Sequence, residues 1–141
     1  MMLAALAILA TSLFTGAAVY VSLVEHPARM TCATEVAIAE WRPSYRRATI
    51  MQASLAVLGT LLGIAAGLRL QSPVFIVAAF VLSAVVPFTL FVMGPVNKAL
   101  EAADLGASSP HARELLARWG RLHSVRSALS AIALLLMLFA A

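Results

Sequence analysis

Charge is what this chain has least of. Of its 141 residues only 11% are Asp, Glu, Lys or Arg, against about 25% in soluble globular domains, and 62% are hydrophobic. That balance excludes a water-soluble domain. Cysteine is limited to Cys32, which excludes an intramolecular disulfide and leaves the redox compartment unread; the lone thiol reads as a buried or inert small hydrophobe. Internal repeats, low-complexity tracts and phosphate loops are missing. The net charge is +4, but basic and aromatic residues do not interleave as they do on base-stacking surfaces, so nucleic acid is not an expected partner.

What the chain has instead is long uncharged runs. A bilayer crossing takes about 20 apolar residues to cover roughly 30 Å of hydrocarbon. Met1 to Val24, Ala48 to Leu68, and Leu70 to Asn97 from about Pro73 each supply one. The last run, Ser127 to Ala141, has 15 residues, too short at about 1.5 Å per residue, so the fourth crossing must start earlier and carry His123 and Arg126 to or inside the membrane boundary. The first run lacks the basic n-region and small-residue cleavage site of a secretory signal and reads as a permanent helix.

These runs predict an all-α, polytopic four-helix bundle of up-down-up-down topology, a single domain with helices over about 2–25, 45–68, 73–96 and 118–141 and connections over 26–44 and 97–117. Within the second connection Ser109-Pro110 has the form of a helix start, on a helix that runs on into the fourth crossing. Nine of the ten Lys and Arg residues, all but Arg69, fall at the end holding the two connections. The positive-inside rule places that end in the cytoplasm and both termini outside, in what we expect to be a bacterial cytoplasmic membrane.

Polar side chains gather at that same basic end. Ser12, Thr15, Ser22 and His26 follow one helical face through Val19; Tyr45, Thr49 and Gln52 follow another, continuing through Ala56 to Gly59 and Gly63; Thr89, Met93 and Asn97 share a stripe; and Trp119, His123, Arg126 and Ser130 share a fourth. Gly59 and Gly63 form a small-xxx-small pair that serves packing within the bundle or a homo-oligomer. Pro87 and Pro95 loosen the third helix where it lines protein or water rather than lipid. One pocket at the basic end is therefore expected, with Glu25 and His26 stopping the first helix at its rim. Trp41, Tyr45 and Trp119, with Arg29, Arg42 and Arg118, also fit an ordinary interfacial belt, Arg126 fits a snorkelling role, and His111 fits a solvated loop position. The opposite halves of the helices lack ionisable residues, which argues against ion or proton transport.

Two chemistries are open to such a pocket. Glu25, His26 and His123 have the ligand types of a facial metal site, though adjacent Glu25 and His26 converge only if Pro27 breaks the helix. The same residues suit proton abstraction from a flat, lipophilic phenol or ketone entering from the bilayer, with Arg126 or Asn97 stabilising the oxyanion. An enolate formed there can pass an electron to dioxygen without a cofactor.

The segments GAAVYVSLVEHPAR, WRPSYRRA with Gln52, PFTLFVMGPVNKAL and WGRLHSVR resemble, in order and placement, the small four-helix membrane proteins of the anthrone oxygenase-like family. The resemblance implies a quinone-forming monooxygenase that uses dioxygen and neither flavin nor metal. It implies catalytic positions at Glu25, His26, Asn97, His123 and Arg126. Tyr45, Gln52, Thr89, Met93 and Trp119 are the candidate substrate contacts. A non-catalytic protein binding a metal, haem or quinone, or a structural or regulatory membrane subunit whose basic connections meet anionic lipid or a partner, are the other readings these residues allow.

Overall fold

The computed structural model describes residues 1–141. It contains four long apolar helices, α1 Met2–Arg29, α2 Thr34–Leu70, α3 Pro73–Glu101 and α4 Pro110–Ala140, each long enough to cross a bilayer. This is the chain of an integral membrane protein, and it is all-helical. α1 packs on α2, α2 on α3, α3 on α4 and α4 back on α1, the square ring of an up-down-up-down bundle.

The helix ends follow their local sequence. Ser72 accepts the Phe75 N–H ahead of Pro73, and Ser109 accepts the Ala112 N–H ahead of Pro110; in each case the hydroxyl satisfies an orphan donor and proline fills the first-turn position that needs none. α2 ends with Gln71 in the left-handed region at φ 53°, and Ser72 N–H returns to Gly67 O at 2.9 Å, a turn tight enough to bring α3 straight back.

At the basic end the helices are longer than sequence reasoning expects. The first connection shrinks from 26–44 to Met30–Ala33 and the second from 97–117 to Ala102–Ser109. Ala37, Ile38 and Trp41, at helical spacing, are buried together, so the charged stretch before Ala48 is the solvent side of a helix projecting beyond the apolar span, with Pro43 held inside it. Nor do Glu25, His26 and Pro27 stop α1. A proline offers no N–H and crowds the carbonyl four residues back; Pro27 and Pro95 each follow by two residues a π-helical stretch, Val21–Glu25 and Phe88–Met93, whose widened turn accommodates that loss. Cys32, expected buried or inert, is exposed in the first connection.

The core has two parts. One, in the half away from the basic end, is dominated by small residues, with Ala7, Ala18, Ala56, Ala66, Ala78, Ala79 and Ala133 around Phe14, Phe75, Leu82 and Met137. The other, at the basic end, is built on Ile38, Trp41, Met93, Leu100, Leu116 and Trp119. Gly59 and Gly63 face inward in the first. A Cβ on Gly59 would sit 2.9 Å from Leu82 Cδ2, and one on Gly63 would sit 3.0 Å from both Ala79 Cβ and Met137 Cε. The glycine pair is therefore spent on packing within the bundle.

Gly63→Leu is expected to cost about 1–3 kcal/mol through overpacking, read as a lower unfolding temperature in detergent. Gly16→Leu, where a Cβ meets nothing within 4 Å, should leave that temperature unchanged or raise it; equal behaviour of the two variants would contradict the inward placement of Gly63.

Candidate functional site

At the junction of the two cores an aromatic cluster forms from i,i+4 neighbours. Trp41 stacks on Tyr45 with centroids 4.7 Å apart and planes at 7°. Trp119 stacks on His123 at 4.7 Å and 29°, meets Trp41 edge-on at 5.7 Å and contacts His26 at 5.1 Å. Four residues along a helix return to the same face, so each pair is set by its own helix and the edge-on contact joins them. Trp119 Nε1 donates to Asn97 Oδ1 at 3.0 Å, which ties α4 to α3 and satisfies a buried donor.

Two arginines stand in contrasting surroundings. Arg29, assigned above to an interfacial belt, has a side chain only 3% exposed and ion-pairs with both Glu25 and Glu40; its Nη1 donates to His26 Nδ1 at 3.2 Å. Glu25 also accepts from Ser44 Oγ at 2.8 Å, so this network clamps α1 to α2. Arg126 forms no ion pair. Its guanidinium lies 5.0 Å from the Phe14 ring, its Nε has no partner, and Nη1 donates to His123 Nε2 at a long 3.4 Å. Phe14 precedes Glu25, the first charged side chain of α1, by 11 residues, about 16 Å along the axis.

That contact fixes the state of His123. Arginine only donates, so Nε2 accepts and the ring proton sits on Nδ1, 2.9 Å from Ser22 Oγ. Ser22 in turn reaches Ser127 Oγ at 2.8 Å, and Ser127 donates to Ala18 O at 3.0 Å. A chain of hydroxyls ending on a backbone carbonyl thus holds a neutral imidazole with its basic nitrogen beside an un-neutralised cation.

These groups surround a cavity of about 130 Å³. Glu25, Tyr45, Gln52, Thr89, Met93, Asn97, Trp119, His123 and Arg126 all line it, joined by Arg29, Trp41 and Ser44. Two more of its lining side chains carry unpartnered buried atoms, the Trp41 Nε1–H donor and the Gln52 Oε1 acceptor. Buried polar atoms normally find partners; these two have no accessible surface of their own, so a ligand in the cavity meets them only if their side chains shift.

His26 is the exception among the candidate residues, being absent from the lining. Val21, Glu25 and Arg29 face the cavity, whereas Ser22 and His26, one position on, face α4. His26 fills the hollow left by Gly120, where any Cβ would collide with its ring. The facial metal set of Glu25, His26 and His123 is likewise not assembled: Glu25 is held by Arg29 and Ser44, both imidazoles pack on Trp119, and no three His, Cys, Asp or Glu side chains converge in the chain. His111 stays exposed in the first turn of α4, not in a loop.

Sequence reasoning took Trp41 and Arg29 for interfacial residues, whereas both line the cavity, and it missed Ser44, Ser127 and Gly120. Three carried a signal: Trp41 precedes Tyr45 by four residues, Arg29 follows Glu25 by four and Ser127 follows His123 by four. Gly120 and Ser44 carried none, because their partners lie on other helices.

The sequence profile of the anthrone oxygenases matches residues 41–136. The chain belongs to the anthrone oxygenase family. The family match begins at Trp41 and runs through Arg126, taking in the α2, α3 and α4 walls of the cavity. The anthrone oxygenase tpcL of Aspergillus fumigatus is 46% identical over 55 residues, covering 37% of this chain and 34% of that protein, so the match spans about a third of that family member's length. No solved structure matches.

Gly120→Ala tests the seat of His26. The added methyl should displace the ring from Trp119, costing about 1–3 kcal/mol and changing the near-ultraviolet circular dichroism of the tryptophans; an unaltered spectrum would refute this packing.

Proposed function

We propose that this protein is an oxygenase that converts a lipophilic, anthrone-type phenolic ketone to a quinone with dioxygen as co-substrate. The observation that carries the reading is the pairing, in the cavity wall, of a neutral His123 whose Nε2 accepts with an Arg126 that has no carboxylate partner. A cation inside the membrane costs about 2.5–3.5 kcal/mol, and an oxyanion formed beside Arg126 would offset that cost while being stabilised itself.

In this mechanism His123 Nε2 takes a proton from the ring methylene and Arg126 holds the resulting enolate oxygen. Enolate electrons pass to dioxygen, a carbon–oxygen bond forms, and the proton on His123 returns to give a hydroperoxide. Removal of the second methylene proton breaks the oxygen–oxygen bond, leaving the quinone carbonyl and releasing the other oxygen as water. Methylene and dioxygen thus balance against carbonyl and water, and no flavin or metal enters any step. With a shift of their side chains, Gln52 Oε1 accepts from a phenolic hydroxyl and Trp41 Nε1 donates to a carbonyl, while Tyr45, Thr89, Met93 and Trp119 line the part of the ring system inside the cavity. Asn97 acts by orienting Trp119, and Glu25 and His26 by holding Arg29 and Trp119 in place. In the cell the basic end faces the cytoplasm and both termini lie outside, as the distribution of Lys and Arg favours.

Purified protein given an anthrone under air should form quinone carrying one atom from isotopically labelled dioxygen, with turnover unaffected by chelators. His123→Ala should lower kcat/KM about 10²–10⁴-fold and Arg126→Met about 10²–10³-fold in folded protein. Full activity in either variant would remove the assigned roles, and a stoichiometric bound quinone without oxygen uptake would favour a binding protein.

A further inference from the structure

The cavity has one set of exposed walls, and it lies on a single seam. Among the lining residues Thr49 and Ala53 of α2 and Val86 and Leu90 of α3 are exposed, while those of α1 and α4 are buried or half-buried. Above and below this point the seam between α2 and α3 is shut. At the basic end Arg42 reaches across it, donating to Leu100 O at 3.0 Å and Ala102 O at 2.9 Å, and Arg46 pairs with Glu101 at 3.1 Å. In the opposite half Gly59 meets Leu82 and Gly63 meets Ala79 too closely to admit even a Cβ without displacement.

The opening between faces lipid, not water. Ile50 is 74% exposed and Phe91 78% exposed, and both flank it on stretches without a charged side chain, Ala48 to Leu68 and Leu70 to Asn97. The π-helical turn Phe88–Met93 forms its α3 edge, and small side chains, Ala48 and Ala53, form its α2 edge.

We infer that this gap is a lateral window through which a planar, fused-ring molecule passes from the bilayer into the cavity, with Ala53 and Val86 setting its width. The inference rests on the cavity being the substrate site. Its size gives the window a second role. The enclosed volume of about 130 Å³ is close to the about 150 Å³ of an apolar cavity that holds benzene. A fused three-ring system exceeds that volume, so with the ring that carries the methylene beside His123 and Arg126 an outer ring extends into the window.

The test reads binding, so it stands whether or not turnover is found. Trp41 and Trp119, the two tryptophans of the chain, both line the cavity, so their fluorescence reports occupancy in full-length protein reconstituted in phosphatidylcholine vesicles. Ala53→Phe should weaken quenching by anthraquinone at least tenfold and quenching by single-ring 4-nitrophenol less than twofold. Val86→Phe should reproduce that selectivity from the α3 side. Val57→Phe, one turn along on an exposed position outside the lining, should change neither. If Ala53→Phe and Val86→Phe leave anthraquinone affinity intact, or weaken both probes equally, the window is overturned while the cavity as an aromatic site survives. If neither probe quenches the unmodified protein, the proposed substrate class falls and the window with it.

Discussion

Close contact between small residues in one half of the bundle is the condition for a cavity in the other. Gly59 and Gly63 draw α2 against α1, α3 and α4 until Thr11, Leu82, Ala79 and Met137 touch its backbone. At the basic end Trp41, Trp119, Met93 and Leu116 fill the centre instead. The cavity lies where small-residue packing gives way to these large side chains, and Gln52, Val85, Thr89 and Arg126 line it. In lipid, where no hydrophobic force drives helices together, such small-residue contacts are the main source of association, so the cavity and the stability of the fold share an origin.

The polar groups at the changeover are arranged in two electrostatic classes. Arg29, Glu25, Glu40 and Ser44 form a satisfied network that joins α1 to α2, and removing one partner would strand the others. His123 and Arg126 form the unsatisfied class. The hydroxyls of Ser22 and Ser127 hold the imidazole on its Nδ1 side, yet no carboxylate in the chain pairs with the guanidinium. Preorganised donors of this kind are most effective where water is excluded, and the straps of Arg42 and Arg113 over the basic end, from Arg42 to Leu100 O and Ala102 O and from Arg113 to Met30 O and Cys32 O, close the aqueous side.

Much of this was legible in the residues alone, wherever the signal was local. Helical spacing on single helices brought out Gln52, Thr89, Met93, Asn97, Trp119, His123 and Arg126, and all seven line one cavity. Charge misled where it lay outside the bilayer: the stretch before Ala48 looked like a connection because its buried face, Ala37, Ile38 and Trp41, is a minority of its residues. Prolines misled in the same direction, because Pro27 and Pro95 suggest helix ends but are absorbed here after π-helical turns.

Uncharged runs of bilayer length and the gathering of polar residues at one end depend on the order of residues alone, and they determined the number of crossings, the topology and the end that carries the site. Which histidine looks into the cavity was decided only in three dimensions. His26 and His123 are equivalent as residue types at helix ends, but Gly120 of α4 gives His26 a seat behind Trp119, while Ser22 of α1 turns His123 towards Arg126. Each outcome depends on a contact between helices far apart in the chain, and a periodicity read along one helix says nothing about what the neighbouring helix places opposite it.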